Sequence, residues 1–333
     1  MNIAINGFGR IGRSVYRILS LENKHKIVAI NDLSDPEVLV YLLRYDTIMG
    51  NFKGEVNYCN SKLSTPGQNV KLLSEKDPSC LPWKDLNVDV VIEATGVFRE
   101  RLQLEKHIYS GAKKVILTVP AKDEIDYTIV LGVNGRGLKP SDKIISNASC
   151  TTNCLSPMAK VINDNFGIVK GVINTVHAYT NDQRLADVPH KDWRRSRAAA
   201  ENIIPTSTGA AKAVGKVLPE LKGKLDGIAS RVPVPDGSVV DLFVELKNKV
   251  TIEEVHSAVK IASESMQMKN ILEYSNTPIV SNDIIGNSSS SIYDVECTNV
   301  VGGRYLRTLN WYDNKWGYSN RVVDLIDLLK ELI

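Results

Sequence analysis

Residues 2–13 read NIAINGFGRIGR, an apolar run followed by glycines in the order G-x-G-x-x-G. The run predicts a buried strand, and SVYRILSL after it has helical spacing. KIVAIND at residues 26–32 predicts a second strand, so the chain opens with a βαβ unit. In such a unit Gly7 permits the tight turn, Gly9 lets the backbone approach a pyrophosphate, and Gly12 lets the helix pack closely on the strand.

Asp32 supports a dinucleotide site at this turn. It ends the second predicted strand, where a carboxylate accepts hydrogen bonds from both ribose hydroxyls and repels a 2'-phosphate. The N-terminus of the first helix offers N–H groups to the pyrophosphate. An incidental glycine turn is the alternative, but strand, helix, strand and carboxylate together favour NAD as the ligand.

The remaining periodicity predicts two domains. Strand-like runs VDVVIEAT, KKVILT and KIISN alternate with amphipathic stretches, which predicts a Rossmann-type, doubly wound parallel sheet, and residues 51–75 predict extra antiparallel strands. The second half has longer alternating runs such as SVVDLFVELK, which predict an α+β catalytic domain on a mostly antiparallel sheet. We expect an NAD-binding domain at 1–149, completed by a C-terminal helix at 314–333, and a catalytic domain at 150–313.

Composition narrows the class of protein. The 333 residues carry a net charge of +3 and no apolar run long enough to cross a bilayer, so neither nucleic acid nor membrane is indicated as a partner. MNIAINGFGR lacks the features of a signal peptide, which predicts a cytoplasmic location. Five cysteines are an odd number, which favours free thiols over a disulfide framework.

The stretch SNASCTTNC at 146–154 contains two cysteines, and a buried pair, a disulfide, half a metal site and a catalytic thiol all fit it. Cys150 falls in the first turn of a predicted helix, where the helix dipole favours thiolate, so we expect its pKa to lie below the free value of about 8.5. Cys154 lies one turn further in. A metal site needs further ligands at suitable spacing, and the sequence has neither a second C-x-x-C nor a His pair, so no metal is expected.

His177 is the histidine with a candidate role, because TVHAYTND ends a strand and enters a polar loop. A lone histidine at a strand end is most often structural, but beside a nucleophilic thiol it would act as a base. His25, His107 and His256 stand in polar or helical segments that indicate surface positions.

Long blocks of the chain resemble the phosphorylating glyceraldehyde-3-phosphate dehydrogenase family. The blocks are NGFGRIGR, SNASCTTNC, TVHAYTNDQ, RRSRAAAENIIPTSTGAAKAVGKVLPELKGKL and WYDNKWGYSNRVVDL. The resemblance implies an enzyme of glycolysis and gluconeogenesis that oxidises D-glyceraldehyde 3-phosphate to 1,3-bisphosphoglycerate and reduces NAD. In that family a cysteine attacks the aldehyde, a thioester forms, and inorganic phosphate releases the product. A cytoplasmic homotetramer is expected, with the loop at 178–203 at its interface.

The resemblance also assigns roles to individual residues. Cys150 resembles the nucleophile and His177 its base, and Cys154 would be structural. The site for the substrate's phosphate would use Thr180, Asp182 and Arg231. The site for inorganic phosphate would use Ser149, Thr151, Arg195, Thr208 and Gly209. The cofactor would be held by Gly7, Gly9, Arg10, Ile11, Gly12, Asp32, Lys76, Thr118 and Asn314.

Other interpretations stay open. TSTG also fits an ordinary helix cap, and KDWRRSR fits a solvated basic face or an RNA-binding patch. Erythrose-4-phosphate dehydrogenase is the nearest alternative enzyme, and a nucleotide-binding protein that has lost catalysis is the alternative from another class. The chain departs from the commoner family pattern at Lys76, in RVPVPDGSVVDL, where RVPTPNVSVVDL is usual, and in LADVPHKDW.

Overall fold

The computed structural model describes residues 1–332, which divide into two compact units. The cofactor unit comprises residues 1–129 and 136–149 and the C-terminal segment from Ser319. The catalytic unit comprises Val130–Gly135 and Cys150–Tyr318. The main division between these units falls between residues 149 and 150, and the C-terminal segment of the cofactor unit begins at Ser319. No helix among residues 1–332 has the length and apolar character needed to cross a membrane.

The cofactor unit is built on a nine-stranded sheet with three helices before residue 149. Its strands are β1 (Asn2–Asn6), β2 (Lys26–Asn31), β3 (Asn57–Cys59), β4 (Lys62–Thr65), β5 (Gln68–Leu73), β6 (Val90–Glu93), β7 (Lys114–Leu117), β8 (Tyr127–Thr128) and β9 (Ile144–Ser146). Its helices are α1 (Arg10–Glu22), α2 (Pro36–Arg44) and α3 (Arg101–Tyr109).

This sheet has the doubly wound topology that the sequence predicts. The strand order is β3-β4-β5-β2-β1-β6-β7-β9-β8, and all pairs from β5 to β8 are parallel. Because β1 lies between β2 and β6, the turn after it opens at the carboxyl edge where such sheets bind ligands. The segment 57–73 forms an antiparallel extension, with β3, β4 and β5 pairing in succession.

The catalytic unit is built on a seven-stranded, mostly antiparallel sheet. Its strands are β10 (Ile168–Ala178), β11 (Ile204–Ser207), β12 (Leu225–Val232), β13 (Ser238–Leu246), β14 (Leu272–Ser275), β15 (Ser291–Val301) and β16 (Tyr305–Tyr312), and its helices are α4 (Cys150–Phe166), α5 (Ala210–Val217) and α6 (Ile252–Glu264). The strand order is β11-β12-β10-β13-β16-β15-β14. Helix α4 packs against β10, β13, β15 and β16, and α7 (Trp316–Lys330) is the last helix of the chain. The predicted fold class is confirmed.

Candidate active site

The thiol of Cys150 lies beside the imidazole of His177. Cys150 is the first residue of α4, and His177 is the penultimate residue of β10. The distance from the sulfur to His177 Nε2 is 3.6 Å, within hydrogen-bonding range for sulfur. A nucleophile in contact with a base is the arrangement that covalent catalysis requires, because the base can take the thiol proton during attack.

Arg231 lies on the other side of the imidazole. Strands β10 and β12 are parallel neighbours, and their register pairs His177 directly with Arg231. The guanidinium Nη1 is 2.7 Å from His177 Nδ1 and 3.3 Å from the carbonyl oxygen of Ala178, which is itself 2.6 Å from Nδ1. The cluster therefore has the order thiol, imidazole, guanidinium.

The pKa values of this cluster correct the expectation of a thiolate. Burial raises the pKa of the Cys150 thiol, and the lowering effects of Arg231 and of hydrogen bonding with Thr151 do not reverse it. Burial, assisted by the charge of Arg231, lowers the pKa of His177 to about 3. Burial therefore opposes the charge on both groups. The sequence argument considered the helix dipole but not the removal of the sulfur from water.

Tyr312 belongs to this cluster, although the sequence analysis assigned it no role. Its buried hydroxyl is 2.8 Å from the hydroxyls of both Thr151 and Thr175, and its ring meets His177 edge-on with centroids 6.0 Å apart. These hydrogen bonds connect the first turn of α4 with strands β10 and β16. Its place in the quoted block WYDNKWGY was the signal that pointed to it.

The structure joins residues from the two anion sites that the resemblance implies. Arg195, expected at the inorganic phosphate site, forms a 2.7 Å ion pair with Asp182, expected at the substrate phosphate site. Asp182 also accepts a hydrogen bond from Thr180. Burial raises the pKa of Asp182, but the hydrogen bond and the charges of Arg231 and Arg195 outweigh this effect and lower it. Arg195 and Thr180, one residue from each expected site, thus contact the same carboxylate.

The other expected phosphate ligands lie at two helix starts. Thr208 and Gly209 precede α5, and the Thr208 hydroxyl accepts a hydrogen bond of 3.2 Å from Ala210 N. The cap and the anion site are compatible, because both use the start of a helix. Ser149 immediately precedes α4 and is half-buried.

Asn314 lies in a buried polar group between β16 and α7. Its amide donates to Asp236 Oδ1 at 2.7 Å and accepts from Lys315 Nζ at 3.3 Å. Lys315 also contacts Asp236 at 3.5 Å and donates to the carbonyl of Pro235. Burial and the charge of Asp236 raise the pKa of Asp313 to about 7. The sequence analysis assigned no role to Asp236 or Lys315, although Asp236 lies in the segment PDGS, where this chain departs from the commoner family pattern.

The glycine turn of the cofactor unit has the geometry of a dinucleotide cradle. Gly7 has φ +94°, and a Cβ there would lie 2.6 Å from Thr95 N. A Cβ on Gly12 would lie 2.1 Å from the carbonyl oxygen of Gly7, so the helix packs directly on the turn. Gly9 lies at the start of α1, and a Cβ there would meet no atom within 4 Å. This donor-rich cradle fits the pyrophosphate of NAD.

Asp32 lies beside this turn, immediately after β2. One carboxylate oxygen accepts from Phe8 N at 2.7 Å and the other from Ser34 N at 2.9 Å, which fixes the group and leaves further lone pairs for hydroxyl donors. The side chain of Arg10 is turned toward Asp46, at 2.5 Å, so its part at a cofactor would be through its backbone.

The other expected cofactor residues of this unit differ in exposure. Ile11 is half-buried in the first turn of α1, and Lys76 is exposed after β5. Thr118 is buried after β7, and its hydroxyl donates to the carbonyl of Glu93. The hydroxyl proton of Thr118 is therefore already used in a hydrogen bond within the protein.

Cys154 has a different environment from Cys150. It is fully buried, its sulfur contacts Ser291 and the carbonyl of Asn310, and burial raises its pKa well above the ordinary value. The five cysteines are free thiols. Among residues 1–332 no group of three or more His, Cys, Asp or Glu side chains is arranged to hold a metal ion.

Comparison with known proteins gives the same family across both units. Residues 1–101 match the glyceraldehyde 3-phosphate dehydrogenase NAD binding domain, and residues 149–314 match the C-terminal domain of that family. Glyceraldehyde-3-phosphate dehydrogenase of Streptomyces coelicolor is 56% identical over 98% of this chain and 97% of the relative. The proteins of that name from Borreliella burgdorferi and Thermotoga maritima are each 56% identical, over 99% of both chains. The chain belongs to the glyceraldehyde-3-phosphate dehydrogenase family, and its N-terminal part is that family's NAD-binding domain.

Proposed function

We propose that this protein oxidises D-glyceraldehyde 3-phosphate to 1,3-bisphosphoglycerate with inorganic phosphate and NAD. The observation that carries the proposal is the contact of 3.6 Å between Cys150 Sγ and His177 Nε2, with Arg231 beside the ring. The names of the curated relatives support the same reaction. The proposal includes a cytoplasmic location, because the reaction belongs to glycolysis.

The chemistry follows from this pair. Cys150 Sγ forms a bond to the aldehyde carbon as its proton passes to His177, which returns it to the oxygen and gives a thiohemiacetal. His177 then takes the hydroxyl proton as the carbon loses hydride, leaving a thioester on Cys150. When bound, NAD supplies the hydride acceptor. Phosphate oxygen attacks the thioester and loses its proton to solvent, the C–S bond breaks, and the thiolate recovers its proton from His177.

Two anions take part, and we propose separate residues for them. Arg231, Thr180 and Asp182 would position the substrate's phosphate, and Thr208 with the start of α5 would receive inorganic phosphate. Arg231→Ala should raise KM for the aldehyde about tenfold or more, and Thr208→Ala should raise KM for phosphate. Equal effects of both changes on both ligands would contradict the division.

The activity itself is tested with purified protein. Absorbance of NADH is followed after mixing with the aldehyde and NAD, with and without inorganic phosphate. We expect sustained turnover with phosphate and, without it, a burst limited to the number of subunits, because the thioester then accumulates. No NADH with phosphate present would refute the proposed function. Erythrose 4-phosphate as substrate tests the nearest alternative.

We also propose a homotetramer. The catalytic unit's sheet exposes Ile228, Phe243 and Tyr305, with Phe243 and Tyr305 stacked 6.2 Å apart, and the loop at 178–203 exposes Leu185 and Trp193. Exposed apolar groups of this size are typical of protein interfaces. Light scattering after size exclusion should give four times 36.8 kDa. Phe243→Glu should lower the mass, whereas Ile261→Glu, a change on exposed α6, should not.

A further inference from the structure

We infer that Glu93 is a positioning residue for NAD: its buried carboxylate orients a chain of side-chain amides, and this chain fixes the loops that form the cofactor cradle. Neither the motifs nor the family resemblance assigned a role to Glu93. The inference rests on the NAD-binding domain of this chain and does not require the proposed reaction.

Three neighbouring parallel strands of the cofactor unit each end in a polar side chain. Asn31 is the last residue of β2, Asn6 of β1 and Glu93 of β6. The register pairs Asn6 with both of the others, so the three side chains form one row across the sheet. A dinucleotide binds at the carboxyl edge of such a sheet, so this row lies at the base of the loops that form the cradle.

The carboxylate of Glu93 is fully buried and is surrounded by donors. Oε2 accepts from Asn6 Nδ2 at 2.6 Å and lies 3.1 Å from His107 Nε2. Oε1 accepts from Thr95 N at 2.9 Å and from the Thr95 hydroxyl. Trp83 Nε1 donates to His107 Nδ1 at 2.9 Å, so the neutral ring carries its proton on Nε2 and donates to Glu93. Four donors thus compensate one buried negative charge.

A carboxylate that only accepts fixes the orientation of the amides next to it. Asn6 turns its NH2 group toward Glu93, so its oxygen faces Asn31, whose Nδ2 donates to it at 2.7 Å. The oxygen of Asn31 accepts from Glu75 N at 2.7 Å, and its Nδ2 also donates to the Glu75 carbonyl at 2.9 Å. We call these four residues the amide relay. The charge of Glu93 sets the direction of its hydrogen bonds from β6 to the loop after β5.

The first end of the relay fixes the loop after β6 against the glycine turn. Thr95 N, which donates to Glu93, would be the nearest neighbour of a Cβ added at Gly7, at 2.6 Å. The Thr95 hydroxyl also accepts from Val97 N at 3.1 Å. The carboxylate therefore controls the conformation of residues 94–97 and their distance from the turn.

The opposite end of the relay fixes the part of the cradle that is expected to hold the adenosine. Asn31 immediately precedes Asp32, the carboxylate expected to accept from the ribose hydroxyls. Both hydrogen bonds between Asn31 and Glu75 use the backbone of Glu75, which fixes the segment that leads to Lys76. A change at Glu93 should therefore reach both sides of the cradle, although its side chain contacts only one.

Glu93→Gln disrupts one end of the relay while keeping the shape of the side chain. The new NH2 group opposes the donors of Asn6 and His107, and turning the Asn6 amide to relieve this opposes it to Asn31. We expect the dissociation constants of NAD and of ADP-ribose to rise about tenfold. Calorimetric titration of the full chain measures both, and Glu55→Gln, the same change at an exposed position of this unit, should alter neither. Unchanged affinities in a folded Glu93→Gln protein would overturn the inference.

A double-mutant cycle separates the relay from a merely structural role. Strand β1 lies between Glu93 and Asn31, and changes at separated, independent positions multiply in their effects on binding. Asn31→Ala breaks the relay at its other end and should weaken NAD binding about tenfold by itself. Because one break disorients the whole relay, both changes together should cost about tenfold rather than about a hundredfold. Losses that multiply would contradict the relay.

Moving the charge across one hydrogen bond tests the direction of the relay. Asn6→Asp alone places a second carboxylate against Glu93 and should bind NAD less well than Glu93→Gln does. In the double variant Asn6→Asp with Glu93→Gln, the new carboxylate accepts from both of its neighbours and the net charge is unchanged. We expect it to bind NAD at least about threefold more tightly than Glu93→Gln. If Glu93→Gln does not fold, the double variant should fold and bind NAD, and failure of either expectation would overturn the inference.

Steady-state kinetics separates the relay from the proposed function. NADH formation by the unchanged protein tests the reaction, whereas the titrations require no turnover, so NAD binding through the relay without NADH formation would refute only the reaction. In active protein, Glu93→Gln should raise KM for NAD about tenfold and leave kcat and KM for the aldehyde within about twofold. A similar rise in KM for NAD and for the aldehyde would show a general structural loss and would overturn the inference.

Discussion

The glycine turn of the cofactor unit and the Cys150–His177–Arg231 cluster of the catalytic unit are specified in different ways. The turn is formed by residues 7–12, and its tightest approach joins Gly7 and Gly12. The cluster joins residues that are 27 and 54 positions apart, through a helix start and two parallel strands. A local motif carries its geometry in its own spacing, whereas a distributed site depends on the register of a whole sheet.

The strongest test of the cluster compares two cysteines on one helix. Cys150→Ser should lower kcat by at least about a thousandfold and keep NAD binding, because a serine hydroxyl is a far poorer nucleophile at neutral pH. Cys154→Ser should keep most activity, since its sulfur only packs against Ser291 and Asn310. Near-normal turnover by Cys150→Ser would refute the assignment of the nucleophile.

The next test concerns two buried carboxylates, Asp313 and Asp236, which belong to the same unit as the Cys150–His177–Arg231 cluster. Because the folded-state pKa of Asp313 is raised to about 7 from 3.8, the folded protein binds more protons between these values. Its contribution to stability is therefore lost as the pH rises from about 4 to about 7. Asp236→Asn removes one cause of the shift and should make this loss smaller.

Urea unfolding at pH 5 and pH 7 measures this difference. Asp283→Asn, which removes an exposed carboxylate of the same unit, is the control for the change in net charge. If the free energy of unfolding of Asp236→Asn has the same pH dependence as that of the unchanged protein, Asp236 does not act on Asp313.

The local turn is broken by adding one methyl group. Gly12→Ala places a Cβ 2.1 Å from the carbonyl oxygen of Gly7, so the helix or the turn must move, at a cost of about 1–3 kcal/mol in stability. Gly9→Ala meets nothing within 4 Å and should leave stability unchanged while weakening NAD binding. Thermal unfolding and NAD titration separate the two effects, and equal unfolding temperatures would show that the turn adapts.

The smallest expected effect concerns the preference for NAD over NADP. Asp32 should give NAD an advantage over NADP of at least about tenfold in kcat/KM, or about 1.4 kcal/mol. Asp32→Asn should reduce this ratio, whereas Asp35→Asn, the same loss of charge at the cap of α2, should leave it nearly unchanged. Equal efficiency with both cofactors in the unchanged protein would contradict the role of Asp32.

The sequence predicted the features that are specified locally and missed a contact that depends on the register of the sheet. The βαβ unit, the positions of its glycines and the two kinds of sheet follow from local periodicity, and the structure has them. The contact between His177 and Arg231 was not predictable from spacing, because it depends on how β10 and β12 align. The family resemblance named both residues but gave no reason for them to touch.

Burial was the property that sequence reasoning judged least well. His107 was expected at the surface, yet it is fully buried, receives a hydrogen bond from Trp83 and contacts Glu93 at 3.1 Å. His25 is also buried, beside Asp327. Polar neighbours in the sequence indicated solvent in both cases, but the partners that made burial possible lie far along the chain. The same omission led to the wrong direction for the pKa of Cys150.

The pairing of β10 with β12 has a consequence for natural variation. Gly227 pairs with Ile173, and a Cβ at Gly227 would lie 2.2 Å from the Ile173 carbonyl oxygen. It stands four residues before Arg231, a distance of about 13 Å along the strand. An inherited alanine there would displace the guanidinium relative to the imidazole while leaving every reacting group chemically intact. Such an allele would bind the phosphorylated aldehyde less well and would escape any screen that inspects only the reacting residues.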